Sequence, residues 1–239
     1  MWNRFFIIGL FCCPFFFVTF SQSGYHIDGG HFSKLIEYNL NMRDSLFNFN
    51  SKDPVERIFF NKYNAPVEFY CDYRSEVLSG FRINRESDKM PYLLEVKYVT
   101  NIVEAQGKAR NKYPTPMLSD MNEQQRSDWF KIYFEERNKH LIIEGHTITV
   151  SEQFAENIYK KMVALIGNFK ARGVPPIVVH GYTVTFRNVV EDEIWSLKIQ
   201  IPNGNALKMS DLCRQITEDA INKKLDEASY IKLLDEFNF

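Results

Sequence analysis

The chain has 239 residues, with 45% hydrophobic and 25% charged side chains, a balance that excludes general disorder and is enough to bury a core. Its 29 basic and 30 acidic residues give a formal net charge of -1, which leaves no basic footprint for nucleic acid. Twenty-one Phe and twelve Tyr favour sheet faces and large core contacts.

The first twenty residues differ in kind from the rest. A single basic residue, Arg4, precedes an uncharged run from Phe5 to Phe20 interrupted by Pro14, and small residues follow at Ser21 and Ser23. This order predicts a cleavable signal peptide over 1–21. A retained anchor is the rival, but about 16 apolar residues at 1.5 Å each span roughly 24 Å, short of a ~30 Å hydrocarbon core. Thr19-Phe20-Ser21 favours cleavage before Gln22, while Ser21-Gln22-Ser23 permits it before Gly24. Lipidation at Cys12 or Cys13 fits less well, since neither follows a small residue where one is wanted. The expectation is a secreted or periplasmic protein without a membrane span after cleavage. Loss of Arg4 would leave 28 basic against 30 acidic residues.

Residues 22–50 read as a partly ordered leader, with a helix expected around Phe32, Leu35, Ile36 and Leu40. From 51 to 239 the pattern is that of a single α+β domain. Asp53-Pro54 marks a short helix through Phe60. Val67, Phe69, Cys71 and Tyr73 alternate with Glu68, Tyr70, Asp72 and Arg74 as a half-buried strand. Further strands are expected at Gly80–Ile83 and Tyr92–Val99, joined across a polar hairpin segment. Asn101 with Glu104 resembles a capping box opening a helix to about Lys112, and a second helix runs from Glu123 to about Asn138.

Ile142–Val150 alternates weakly as a strand. Ser151 then caps a helix with the stripe Phe154, Ile158, Met162, Leu165, Ile166 and Phe169, which Lys170, Arg172, Gly173 and Pro175-Pro176 bring to an end. Tyr182–Arg187 and Trp195–Ile201 predict an antiparallel hairpin around the acidic turn Glu191-Asp192-Glu193. Asn203-Gly204-Asn205 reads as a loop, Ser210 as the cap of a helix to about Lys224, and 227–237 as a last helix. Strands that arrive in adjacent groups predict an antiparallel or mixed sheet of five to six strands with helices mainly on one face. The other face would expose Arg82, Glu95, Lys97, Arg187, Lys198 and Gln200.

The stretches Gly80–Ile83, Leu93–Lys97, Gly181–Phe186 and Trp195-Ser196 resemble a group of uncharacterised bacterial secreted proteins, over most of the chain expected after cleavage. The resemblance implies export and a bacterial origin, and it carries over no activity and no site residue.

Candidate chemistry is sparse. If cleavage exposes Gly24, its amine, two backbone nitrogens and the His26 ring, across Gly24-Tyr25-His26, form a square-planar set suited to Cu(II) or Ni(II); the competing view is a flexible tail cut elsewhere. His26, Asp28 and His31 offer zinc-type ligands on a flexible segment. His140, His146 and His180 stand apart in the sequence and read as surface or satisfied histidines. Cys71 and Cys213 each lie on an apolar stripe, so they could form a disulfide in an oxidising compartment or remain two buried thiols. Ser229-Tyr230-Ile231-Lys232 matches a Ser-x-x-Lys pattern without its companion motif. The acidic turn could hold calcium but reads as a solvated turn, and Trp195 reads as core. No convergent catalytic set emerges and no cofactor is implied. The leading expectation is a non-catalytic exported protein that mediates interaction with a protein or glycan at the cell envelope or outside the cell. The alternative is an exported hydrolase using Glu95, Asp192 and Glu193.

Overall fold

The computed structural model describes residues 32–38, 54–60, 65–73, 77–117, 120–169, 182–191 and 193–238. In chain order these form β1 (Phe32–Tyr38), α1 (Pro54–Phe59), β2 (Val67–Tyr73), β3 (Val77–Asn84), β4 (Tyr92–Val99), α2 (Ile102–Lys112) and α3 (Glu123–Lys139). They continue as β5 (Ile143–Val150), α4 (Glu152–Asn168), β6 (Thr183–Val190), β7 (Glu193–Gln200), α5 (Gly204–Ile221) and α6 (Glu227–Asp235). The fold is α+β. Six strands are antiparallel in the order β7-β6-β2-β3-β4-β5, and β1 joins the far edge of β7 in parallel as a seventh.

Strand alternation sets the two faces. The register places Val67, Phe69 and Cys71 beside Phe81, Ile83, Val184 and Phe186, and Leu94, Val96, Leu197 and Ile199 continue the same face. Three helices close over it. The α4 stripe of Phe154, Ile158, Met162, Leu165 and Ile166 is buried as its spacing predicts, with Ser151 Oγ accepting from Phe154 N. Met209, Cys213, Ile216 and Ala220 of α5 and Tyr230 and Leu234 of α6 complete this core. Fully burying a side chain of this size is worth roughly 1.5–3 kcal/mol relative to leaving it exposed, so these layers supply most of the driving force.

The opposite face is not the open surface that alternation suggests. Arg82, Glu95, Lys97, Arg187, Lys198 and Gln200 do share it, yet Arg187 and Gln200 are buried and Arg82 and Glu95 largely so. For Arg187 and Arg82 the reason is α1 and the residue after it: Glu56 binds Arg187, Arg82 lies over the Phe60 ring, and Phe59 and Phe60 join Tyr70, Leu78, Val99 and Ile102 in a second, smaller cluster. Lys97 Nζ donates to Phe59 O at 2.7 Å and stands over the Phe60 ring, tying the end of α1 to the sheet.

Several local expectations change. Around Phe32–Ile36 the chain is the strand β1 rather than a helix, because backbone pairing with β7 overrides a spacing of three and four; of the leader, residues 32–38 contribute to the sheet, and Leu40 lies outside the described residues. Asn101 does not cap α2. Its side chain instead accepts from Ile142 N and donates to His140 O, joining the start of α2 to the α3–β5 connection. The reciprocal capping box lies at Asn122 and Gln125, at the start of α3. Helix α5 begins at Gly204, and Ser210 is buried within it, since Ala206 and Met209 extend its apolar stripe toward the N-terminus. The helix-stop residues Lys170, Arg172, Gly173, Pro175 and Pro176 and the cap Asp53 lie outside the described residues.

Candidate functional site

Two places concentrate side chains that could do something, and they differ in character. The first is a buried ionic knot between α1 and the sheet. Arg187 on β6 donates through Nη2 to Glu56 Oε2 at 2.6 Å and through Nη1 to Glu68 Oε2 at 3.1 Å. Thr185 Oγ1 donates to Glu56 Oε1 at 2.8 Å, Tyr70 Oη donates to Glu68 Oε2 at 2.9 Å, and the guanidinium lies over the Tyr70 ring. Burial pushes the Glu56 carboxyl up, but the charges of Arg187 and Lys198 and two hydrogen bonds carry it below its ordinary value. Burial alone would lower the pKa of Arg187, and its two carboxylates more than reverse this, so Arg187 and Glu56 stay charged. Tyr70 is pushed well up by burial and then by the charge of Glu68. A carboxylate held as Glu56 is cannot readily shuttle a proton, and its bonds to Arg187 and Thr185 orient α1 on the sheet.

The second place is the outward side of α3. Phe130 and Phe134 stack at 5.9 Å with 18° between their planes, Trp129 stacks on Tyr133 at 5.0 Å, and Arg137 lies over Phe134. Tyr133, Glu136 and Arg137 are buried and anchor the helix, whereas Phe130 is 38%, Phe134 39% and Ile132 45% exposed. Lys112 of α2 and Lys139 hold Glu136 at 2.9 and 3.1 Å, drawing its carboxyl down to about 2, and His140 Nε2 lies 3.3 Å from its other oxygen. The α2–α3 pair is therefore fastened by charges at its base while its outer aromatics face solvent. The sequence places Trp129, Phe130 and Tyr133 on one side of a helix; which of them stay uncovered depends on neighbours that no local pattern reveals.

Among the described residues, those singled out by sequence are not brought into one site. Gly24, Tyr25, His26, Asp28, His31, His180 and Asp192 lie outside the described residues. Among the described residues no group of three His, Cys, Asp or Glu could hold a metal ion. Glu95 is engaged by Arg82 Nη2 at 2.9 Å and by Asn84 Nδ2 at 2.8 Å. Glu193 is exposed on β7, four strand positions from β4 in the sheet, so at about 4.8 Å per step the two strands lie ~19 Å apart. Ser229 Oγ donates to Asp226 Oδ2 at 2.6 Å as part of the cap of α6, and Lys232 is exposed. Trp195 is half-buried against the main core, as its alternation predicts.

Cys71 and Cys213 are buried free thiols in that same core. Burial pushes Cys71 up to about 12, and burial followed by the neighbouring Cys71 pushes Cys213 well up, so neither is a poised nucleophile. A shallow cleft of about 340 Å³ runs between β5 and the end of α5, lined by His146, Thr147, Ile148, Ala220, Lys223 and Leu225. No described helix is long and apolar enough to cross a membrane.

Comparison of the chain with protein-family models, with curated proteins and with solved structures finds no match.

Proposed function

We propose that this chain is a non-catalytic exported protein that binds a protein partner outside the cytoplasm through the aromatic side of α3. The observation that carries the reading is the stacked, half-exposed pair Phe130 and Phe134, on a helix fixed from behind by Tyr133 and Glu136. Aromatic rings lose little conformational entropy on binding and concentrate interface energy, and the charges of both signs around them, Asp128, Lys131 and Glu135, suit the rim of a protein interface. The uncharged run from Phe5 to Phe20 and the resemblance to bacterial secreted proteins support export. The buried carboxylates are committed to Arg187, which favours binding over hydrolysis.

Crosslinking and capture should be run on native protein recovered from the envelope and the medium, beside the double substitution Phe130→Ser with Phe134→Ser. A specific protein partner lost in the variant, with the thermal melt unchanged, is the expected result. Equal capture by both, or capture of glycan alone, would overturn the reading. Intact mass of the same material should show a chain shortened by residues 1–21, and a full-length mass would count against export.

A further inference from the structure

From the outer edge of β5 we infer a second binding surface, one that takes a second copy of this chain in antiparallel strand addition about a two-fold axis. Among the described residues β5 pairs on one side only, with β4, in an unbroken register from Tyr92↔Val150 to Val99↔Ile143. The bond from Thr100 N to Ile142 O fixes the phase of that ladder. Residues 144, 146, 148 and 150 turn their backbone groups toward β4, and Ile143, Gly145, Thr147 and Thr149 turn theirs outward. Edge strands are commonly guarded by lysine, proline or a bulge. The eight residues Ile143–Val150 contain none of these and carry Glu144 as their single acidic charge.

One register makes the edge complementary to itself. With Gly145 opposite Gly145 of the second copy, Glu144 faces His146 and Ile142 faces Ile148, each twice by symmetry. These are non-hydrogen-bonded pairs, in which side chains approach most closely. Pairs Ile143–Thr147, Gly145–Gly145 and Thr147–Ile143 would supply about six backbone hydrogen bonds. Glu144 of the second copy would lie beside the cleft formed by His146, Ile148 and Lys223, placing its carboxylate next to an imidazole and an ammonium. Shifting the register by two residues sets His146 against itself in one direction and Glu144 against itself in the other. Ile142 is 53% exposed in the single chain and would gain an apolar neighbour.

The test is sedimentation equilibrium of the native full-chain product over about a hundredfold range of concentration. Wild type should show a reversible monomer–dimer equilibrium. Thr147→Pro removes an outward N–H and leaves the β4 ladder intact, so it should give a monomer whose melt matches that of wild type at concentrations where wild type is also monomeric. Glu144→Lys should raise the dimer dissociation constant by about tenfold or more, and adding His146→Glu should restore it. Phe130→Ser with Phe134→Ser should leave the dimer intact, which separates this surface from α3. A monomer at every concentration, or a dimer that survives Thr147→Pro or Glu144→Lys, would overturn the inference.

Discussion

Arg187 is held by carboxylates 131 and 119 residues away along the chain, so one side chain records the closure of the α1 side of the sheet. Removing it leaves two buried negative charges facing each other, so Arg187→Met is expected to cost about 3–5 kcal/mol in urea denaturation. Replacing Glu56 and Glu68 by Gln in the same chain should recover much of that loss, since it removes the unpaired charges. Glu136 gives a pH signature. Its folded value of about 2 lies below the ordinary 4.5, so its ion pairs stabilise the fold fully above the ordinary value and lose that contribution as pH falls toward about 2. Thermal melts of wild type and Glu136→Gln should differ at neutral pH and converge through that acid window; a gap that stays constant would contradict the assignment.

At the scale of the element, two glycines in similar positions on paper predict opposite outcomes. A Cβ on Gly80 of β3 would lie 2.5 Å from Phe69 O and 3.2 Å from the Tyr70 ring, so Gly80→Ala should destabilise by about 1–3 kcal/mol. A Cβ on Gly107 of α2 meets nothing within 4 Å, and Gly107→Ala should stabilise by about 0.5–1 kcal/mol, both read from chemical denaturation curves. The strands β2, β4, β6 and β7 and the stripe of α4 were legible because each buries one face, and burial writes a period into the sequence. What escaped was decided at a distance. β1 carries a helix-like spacing and becomes a strand through β7; Asn101 is drawn from capping to the α3–β5 connection; Arg187 alternates like a surface residue and is covered by α1. A short helix ending in Phe59-Phe60 needs a surface to cover, which was the available hint. The exposed rings of α3 were visible as residues but not as a site, because exposure depends on what fails to pack against them.

The whole molecule is drawn together late along the chain. Helix α6 lies on α4 by three polar ties: Glu227 accepts from Ser151 N and Oγ at 2.8 and 2.6 Å, Asn157 donates to Asp235, and Lys161 donates to Phe237 O. Tyr230 and Leu234 beneath them belong to the main core. A chain cut before Glu227 should keep its far-ultraviolet circular dichroism, lose the near-ultraviolet signal of packed aromatics and bind ANS; unchanged near-ultraviolet spectra would show that α6 is dispensable. The order of synthesis gives the same strap another meaning. A ribosome reaches α6 only after every described strand has been made, so the emerging chain carries an unfinished core until α6 appears. A helix that completes the core only after the described strands have emerged delays locking and lengthens the time the nascent chain spends with its apolar face uncovered.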